Sequence, residues 1–168
     1  MTDDPGSHLD ALCAAHELTD QPDATFRALD AAVSASVGHI LFTVLVHHPG
    51  LRQSERRYTN QPAAYPVGGR KPVTDTPWMD QVIRRGEPYI GRTREDIAAV
   101  FYDHELIASL GCESVLNVPV RWRAETLGTV NLLHRAGWYE ESHVPVVRRL
   151  AQLALPALML VARRLGDP

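Results

Sequence analysis

Residues 111–134, GCESVLNVPVRWRAETLGTVNLLH, constrain the fold more than any other part of the chain. β-Branched and apolar residues dominate its two arms, which predicts strands over residues 114–121 and 125–134 with a polar turn at residues 122–124. The connection is short enough for an antiparallel hairpin, with the turn centred near Ala124. We therefore expect the chain to build its sheet around this hairpin.

The hairpin has two different faces, because successive side chains of a strand point to opposite sides. One face is wholly aliphatic and carries the pairs Leu116–Leu132, Val118–Val130 and Val120–Gly128. The other face is mixed and carries the pairs Val115–Leu133, Asn117–Asn131 and Pro119–Thr129. We expect helices on the aliphatic face. The mixed face suits a ligand pocket, which is mostly apolar with a few polar groups. Alternatively, the two Asn side chains bond each other or an ordered water, since a buried unpaired amide costs about 1–3 kcal/mol.

Length and composition describe an ordinary globular protein. The 168 residues suit one domain, and the 45% hydrophobic and 22% charged shares are those of a chain with a real core. A net charge of -3 gives no reason to expect nucleic acid or an anionic membrane as partner. The N-terminus lacks the apolar region of a secretory signal, and no run approaches the roughly 20 apolar residues of a membrane span. We expect a cytoplasmic protein with two free thiols, Cys13 and Cys112.

The remaining patterns predict further helices and strands. Apolar spacing predicts helices over residues 8–18 and 24–37, and a continuous apolar run predicts a central strand over residues 40–47. Residues 54–59 indicate an edge or half-exposed strand. Residues 60–75 contain three prolines and two glycines, which predicts a long loop without regular structure.

Capping residues mark the helices in the second half of the chain. Thr76, Thr93 and Asp103 each precede a short helix, and residues 88–90 indicate a short strand. Residues 142–165 predict a long helix that Pro156 kinks. This order indicates an α+β fold around an antiparallel sheet. Residues 1–19 form a tail and short helix in this interpretation, and residues 20–168 form a single domain.

The segments LGCESVLNVPVRWRAETLGTVNLL and RGEPYIG, together with the terminal helices, resemble a GAF domain, a small-molecule-sensing fold related to PAS. The resemblance covers residues 24–165, and the segment YPVGGRKPVTDTPW is similar to that of stand-alone GAF proteins. It implies a six-stranded antiparallel sheet with the terminal helices on one face and a roof of loop and short helices over the other. It also implies a homodimer through the terminal helices.

The resemblance implies a ligand site between the mixed face and this roof. The ligand-binding candidates are Asn117, Thr129 and Asn131 in the floor, and Tyr65, Arg70, Trp78, Asp103, His104 and Ile107 in the roof, with Tyr89 and Phe101 nearby. Several have another interpretation. Arg70 and Lys71 suit a carboxylate or phosphate, or belong to a solvated loop. Trp78 walls the pocket or packs in the core, Asp103 is a helix cap, and His104 bonds a ligand or, less favoured, haem.

The expected function is a small-molecule-binding sensor or regulatory module for a small polar ligand, without an attached output domain. The first alternative is an enzyme, because some GAF proteins reduce free methionine sulfoxide with cysteines around the pocket. Cys112 is a weak catalytic candidate here, since Cys13 is predicted on the opposite side of the sheet. The second alternative is a dimerising interaction protein with a vestigial pocket. We expect neither a cofactor nor a metal, because the cysteines and histidines lack zinc spacing.

Overall fold

A six-stranded antiparallel sheet forms the centre of the computed structural model, which describes residues 5–163. The strands are β1 (Leu41–His48), β2 (Gln53–Thr59), β3 (Arg70–Pro72), β4 (Tyr89–Gly91), β5 (Ser114–Trp122) and β6 (Glu125–His134). Their order across the sheet is β3-β2-β1-β6-β5-β4. The predicted hairpin and the predicted central strand are therefore the three middle strands.

Helices cover both faces of this sheet. They are α1 (Pro5–Ala15), α2 (Asp23–Ser36), α3 (Pro77–Met79), α4 (Arg94–Val100), α5 (His104–Ser109), α6 (Val144–Gln152) and α7 (Leu155–Arg163). A π-helical segment, Asp80–Arg85, continues α3 to Gly86, whose φ of 69° ends it. Two of the predicted cap residues act as predicted, since the side chains of Thr76 and Thr93 accept backbone N–H bonds at the starts of α3 and α4.

The hairpin has the predicted register along most of its length. Val118 faces Val130 and Asn117 faces Asn131, as an antiparallel pair centred near the turn requires. Beyond Val120 the register shifts by one residue, so Leu127 is an extra residue in β6. The turn itself is shorter than predicted. Arg123 and Ala124 both have positive φ, as in the two-residue turns that match the twist of hairpin strands.

The aliphatic face carries the main core, as expected. The hairpin residues on this face are fully buried in one cluster with residues of α1, α2, α6 and α7. These hairpin residues are Leu116, Val118, Val120, Val130 and Leu132. The predicted apolar stripe of α2 supplies its share of this cluster, and α1 supplies a side chain with 0% exposure, Leu12. Burying each such side chain contributes about 1.5–3 kcal/mol to stability. The terminal helices therefore belong to the same core as the sheet.

The mixed face has a second, smaller apolar cluster beneath the roof. Leu41, Val115 and Leu133 of the sheet pack there against roof residues, namely Tyr65, Ile97, Ile107 and Cys112. The two clusters on opposite sides of one antiparallel sheet confirm the predicted α+β architecture.

Three predicted elements differ from the structure: the loop over residues 60–75, the edge strand over residues 54–59 and the C-terminal helix over residues 142–165. Residues 60–75 are not wholly irregular, because Arg70–Pro72 forms β3 and pairs antiparallel with β2. β2 is therefore not an edge strand.

The predicted C-terminal helix is two helices, α6 and α7, which meet at a bend of 54°. Pro156 has no N–H to donate to Gln152 O, and its ring crowds that carbonyl, so α6 ends at Gln152. The predicted end at residue 165 lies outside the described residues. Within residues 5–163 no single helix is long and apolar enough to span a membrane. The bent pair Glu141–Gln152 and Leu155–Ala162 passes that test only by length and composition.

Candidate functional site

A chain of hydrogen bonds crosses the mixed face below the roof. Asn117 Nδ2 donates to Asn131 Oδ1 at 2.7 Å, and Asn131 Nδ2 donates to Thr43 Oγ1 at 3.2 Å. From the roof, Trp78 Nε1 donates to Asn117 Oδ1 at 3.1 Å. The two amides therefore bond each other, and Trp78 covers them with its ring against Phe101 at 5.4 Å between centroids. A ligand that bonds Asn117 Oδ1 in place of Trp78 therefore requires Trp78 to move.

A charged cluster lies beside this chain, between the sheet and α5. The carboxylate of Asp103 accepts the Tyr65 hydroxyl and lies 3.3 Å from Lys71 Nζ. The side chains of Lys71 and Asp103 are only 17% and 11% exposed. The Arg56 guanidinium stacks 3.5 Å from the centroid of the Tyr65 ring and donates to Pro66 O. Two cations, one carboxylate and one phenol are thus held together in a largely buried place.

Strand pairing explains how the two cations reach the mixed face. Leu45 faces Arg56 while Val44 faces Tyr58, so Arg57 is an extra residue in β2. This bulge turns Arg56 to the mixed face, although simple alternation would put it on the same side as Tyr58. In β3, Lys71 pairs with Ser54.

Arg70, the residue before Lys71, lies on the other side of β3. It pairs with Glu55 and bonds the Glu55 carboxylate at 3.2 Å. The predicted site residue Arg70 therefore does not join the cluster, while its neighbour Lys71 does.

Burial perturbs the titratable groups of the cluster. It lowers the pKa of the Lys71 ammonium, although the Asp103 carboxylate acts in the opposite direction. Burial and the bond to Asp103 both raise the pKa of Tyr65, so the phenol stays protonated and donates. Perturbed groups of this kind concentrate at functional sites, although structural ion pairs produce them as well.

A small cavity of about 40 Å³ lies beside Arg56, Tyr65 and Lys71 of the cluster. Its walls combine sheet and roof residues: Thr43, Leu45, Arg56, Tyr65, Lys71, Phe101, Ile107, Asn131 and Leu133. The share of liquid volume of one water molecule is about 30 Å³. A metabolite therefore enters only when the roof is displaced.

The structure brings together most of the predicted site residues, in two adjacent groups. The first group is the hydrogen-bonded chain of Asn117, Asn131 and Trp78, and Thr129 is buried on the same face of the sheet. The second group lies beside the cavity and consists of Tyr65, Asp103 and Ile107. Asp103 occupies the position before α5, but its carboxylate accepts from side chains instead of the backbone amides of the helix. The prediction that it serves as a side-chain cap is therefore wrong. His104 is half-buried at the start of α5 and is absent from the described lining of the cavity.

Sequence reasoning missed the role of Arg56. It named Lys71 with Arg70 as a possible anion-binding residue, but placed only Arg70 in the roof of the site. No sequence pattern indicates the bulge in β2 that turns Arg56 to the mixed face. The glycine-rich segment indicated both Arg70 and Lys71 as candidates. Only the pairing of β3 with β2 shows that the side chain of Lys71, and not that of Arg70, lies on the mixed face.

The enzymatic alternative is not supported by the state of Cys112. Its side chain is 1% exposed among Leu41 and other apolar residues, and burial raises the pKa of the thiol to about 11. The reactive species of a cysteine is the thiolate, so burial holds Cys112 in the less reactive thiol form at neutral pH. Cys13 is exposed on α1, which packs against α2 on the opposite side of the sheet. Among residues 5–163, the described His, Cys, Asp and Glu side chains form no group that could hold a metal ion.

Fold and site together define an α+β domain whose sheet separates a helix-packed core from a roofed cavity that has charged and polar groups in a mainly apolar lining. The model of the GAF domain family matches residues 13–158. The chain therefore belongs to the GAF family. No curated protein matches it at a significant level.

Solved structures show the same fold at low sequence identity. The phycocyanobilin-bound GAF domain from a cyanobacterial phytochrome has a TM-score of 0.70 at 15% identity, with 100% of both chains covered. The GAF domain from Acinetobacter phosphoenolpyruvate-protein phosphotransferase also has a TM-score of 0.70 at 15% identity, covering 96% of this chain and 95% of that one. The GAF domain of a two-component sensor histidine kinase from Bacillus halodurans has a TM-score of 0.69 at 12% identity, covering 87% and 98%.

Proposed function

We propose that this GAF domain is a regulatory module that binds a small polar molecule between the mixed face of the sheet and the roof. The observation that carries the proposal is the buried cluster of Arg56, Tyr65, Lys71 and Asp103, three of which line the cavity while Asp103 bonds Tyr65 and Lys71. Burying charges costs stability, and apolar residues of the same size often serve a core at least as well. A cluster of this kind therefore suits recognition better than packing.

The charges of the cluster favour an anionic ligand. Arg56 and Lys71 carry two positive charges and Asp103 carries one negative charge, so one positive charge is unmatched. A ligand carboxylate can replace Asp103 as the acceptor of the Tyr65 and Lys71 bonds. Arg56 supplies planar N–H donors suited to the same group.

Binding requires the roof to open, because the cavity of about 40 Å³ is smaller than any metabolite. Opening separates Trp78 from Asn117 and exposes the amides of the mixed face, which then become donors and acceptors for the ligand. The movement of the roof is the means by which binding would be signalled. The phycocyanobilin-bound relative is an example of this fold holding a small molecule.

A thermal-shift screen of carboxylates and nucleotides tests the proposal, with matched variants of β3. A ligand present at 100 times its Kd stabilises the folded state by about 2.7 kcal/mol. For a chain of this length that corresponds to a rise in Tm of roughly 5–11 °C. We expect Lys71→Met to abolish the rise.

Arg70→Met is the control, because Arg70 is the neighbouring cation on the opposite face. It should keep the full rise in Tm. The proposal fails if none of the compounds raises the Tm of the wild type, or if the Lys71 variant responds as strongly as the control.

We also propose that two copies associate through the terminal helices. Leu155, Met159 and Leu160 of α7 are only half-buried, and Leu9 of α1 is 43% exposed. A two-fold dimer would cover these apolar side chains. Light scattering at micromolar concentration should give the mass of a dimer, and Leu160→Glu should give that of a monomer. A monomeric wild type would refute this part of the proposal.

A further inference from the structure

A second, larger cleft lies at the end of the sheet where β1 turns into β2. Its volume is about 330 Å³, which is within the range of small-molecule sites. We call it the histidine cleft and define it by His47 and Thr126 at its base, Val73 and Ile83 on its wall, and Arg52, Asp75 and Arg84 at its rim. Its lining and that of the roofed cavity have no residue in common among the described residues.

The base of the histidine cleft holds two buried polar atoms that call for a partner. His47 is 6% exposed and Thr126 is 7% exposed. His47 Nδ1 lies 2.5 Å from Ser54 Oγ, whereas His47 Nε2 and Thr126 Oγ1 have no hydrogen-bond partner within the part of the chain that the structure describes. Buried polar atoms in native proteins are nearly always hydrogen-bonded. Both residues line the cleft, so a ligand there can supply the bonds.

The rim of the histidine cleft carries two guanidiniums around one carboxylate. Asp75 Oδ1 lies 3.6 Å from Arg52 Nη2 and also pairs with Arg84. The side chain of Arg52 is 67% exposed, that of Asp75 is 71% exposed and that of Arg84 is 48% exposed. Side chains this exposed can exchange partners easily. Arg84 also lies 3.4 Å from the carboxylate of Asp80, which Arg85 pairs with as well. A monoanion such as a carboxylate can therefore take the place of Asp75 alone between the two guanidiniums.

We propose that the histidine cleft is a second binding site, for a small organic carboxylate with an apolar body and a polar far end. The carboxylate takes the place of Asp75 between Arg52 and Arg84. The body lies along Val73 and Ile83. The far end bonds His47 Nε2 and Thr126 Oγ1, the two atoms at the base.

The burial of His47 is consistent with this role. Burial, followed by the neighbouring charge of His48, lowers the pKa of His47 to about 4, so the imidazole is neutral at pH 7. A neutral imidazole offers Nε2 either as donor or as acceptor, according to its bond with Ser54. The base of the cleft therefore selects a hydroxyl or a similar group, which can adapt to either tautomer, and the charge selection is made at the rim.

The test is an NMR titration of the full chain with 4-hydroxybenzoate, which has the three parts that the proposal requires. We expect saturable shifts of the His47 imidazole and the Thr126 amide. The neutral analogue 4-hydroxybenzamide should bind at least fivefold more weakly. The proposal is overturned if the shifts do not saturate, or if the two compounds bind equally.

Two rim substitutions and one control outside the cleft predict the direction in which the affinity changes. Arg84→Gln should weaken binding about fivefold, which is about 1 kcal/mol at 1.4 kcal/mol per factor of ten. Asp75→Asn should tighten binding, since it removes the competing carboxylate. Arg85→Gln is the control, because Arg85 pairs with Asp80 and Glu87 and does not line the cleft. Equal affinities in all three variants would overturn the proposal.

The outcome is separable from that of the proposed function. Lys71→Met removes a residue of the roofed cavity and should leave the shifts of His47 unchanged. If 4-hydroxybenzoate instead shifts Tyr65 and Lys71 with saturation while His47 stays unaffected, the second site is refuted and the roofed site is supported.

Discussion

Acid should destabilise the folded chain through His47, because this histidine is buried in its neutral form. Burial is the main cause that lowers its pKa from 6.5 to about 4, and the neighbouring His48 adds to it. The other charged groups that face it belong to the histidine cleft: Arg52, Asp75 and Arg84.

The sign follows from the protons that each state binds. Between pH 6.5 and about 4 the unfolded chain binds a proton on this histidine and the folded chain does not. The free energy of unfolding therefore falls as the pH drops through this window. At about 1.4 kcal/mol per pKa unit, this difference in the pKa of His47 between the unfolded and folded states corresponds to roughly 3 kcal/mol in the free energy of unfolding. That is a large part of the 5–15 kcal/mol that typically stabilises a domain.

Urea unfolding at pH 7 and at pH 4, followed by tryptophan fluorescence, measures this effect. His47→Gln retains a polar side chain that does not titrate, so its stability should fall by about 3 kcal/mol less than that of the wild type. Carboxylates contribute equally to both proteins. The reasoning is refuted if the two proteins lose the same stability, or if NMR shows the His47 imidazole titrating near pH 6.5.

Other predictions concern packing, hydrogen bonding and thiol chemistry. Asn117→Leu should cost about 1–3 kcal/mol in urea unfolding, since it leaves the Asn131 oxygen without its donor. In a double-mutant cycle with Asn131→Leu the two costs should not add; additive costs would contradict the pairing. Gly128→Ala should cost roughly 2–4 kcal/mol or prevent folding, because its Cβ would lie 2.3 Å from the backbone oxygen of Leu45; unchanged stability would contradict this close approach. Iodoacetamide at pH 7.5 should modify one cysteine in the folded protein and both in urea, with Cys112 the protected one; its rapid modification in the folded protein would show that the thiol is accessible.

The hairpin was predictable because its information is local. Alternation along two arms joined by a short turn determines which side chains share a face. The pairing of Asn117 with Asn131 and the aliphatic face therefore appeared in the structure as predicted. Cap residues such as Thr76 and Thr93 were equally readable, since a cap acts within one turn of helix.

The composition of the candidate site was not predictable to the same degree. Asp103 occupies the position at which a helix cap is expected. Its carboxylate instead bonds Tyr65 and Lys71, which lie far away in sequence and are brought close only by the tertiary structure. Only the tertiary structure shows that His47 Nε2 is buried without a hydrogen-bond partner among residues 5–163, because that depends on the segments packed against the end of β1.

By itself, the sequence determined the sheet-forming hairpin, its two faces and the helices that cover the aliphatic face, because periodicity and caps are local properties. Only the tertiary structure decided which cations reach the mixed face. The bulge at Arg57 turns Arg56 inward, and the register of β3 selects Lys71 over Arg70. One inserted residue or a one-residue change of register reverses every side chain beyond it, and both depend on pairing with a strand far away in sequence.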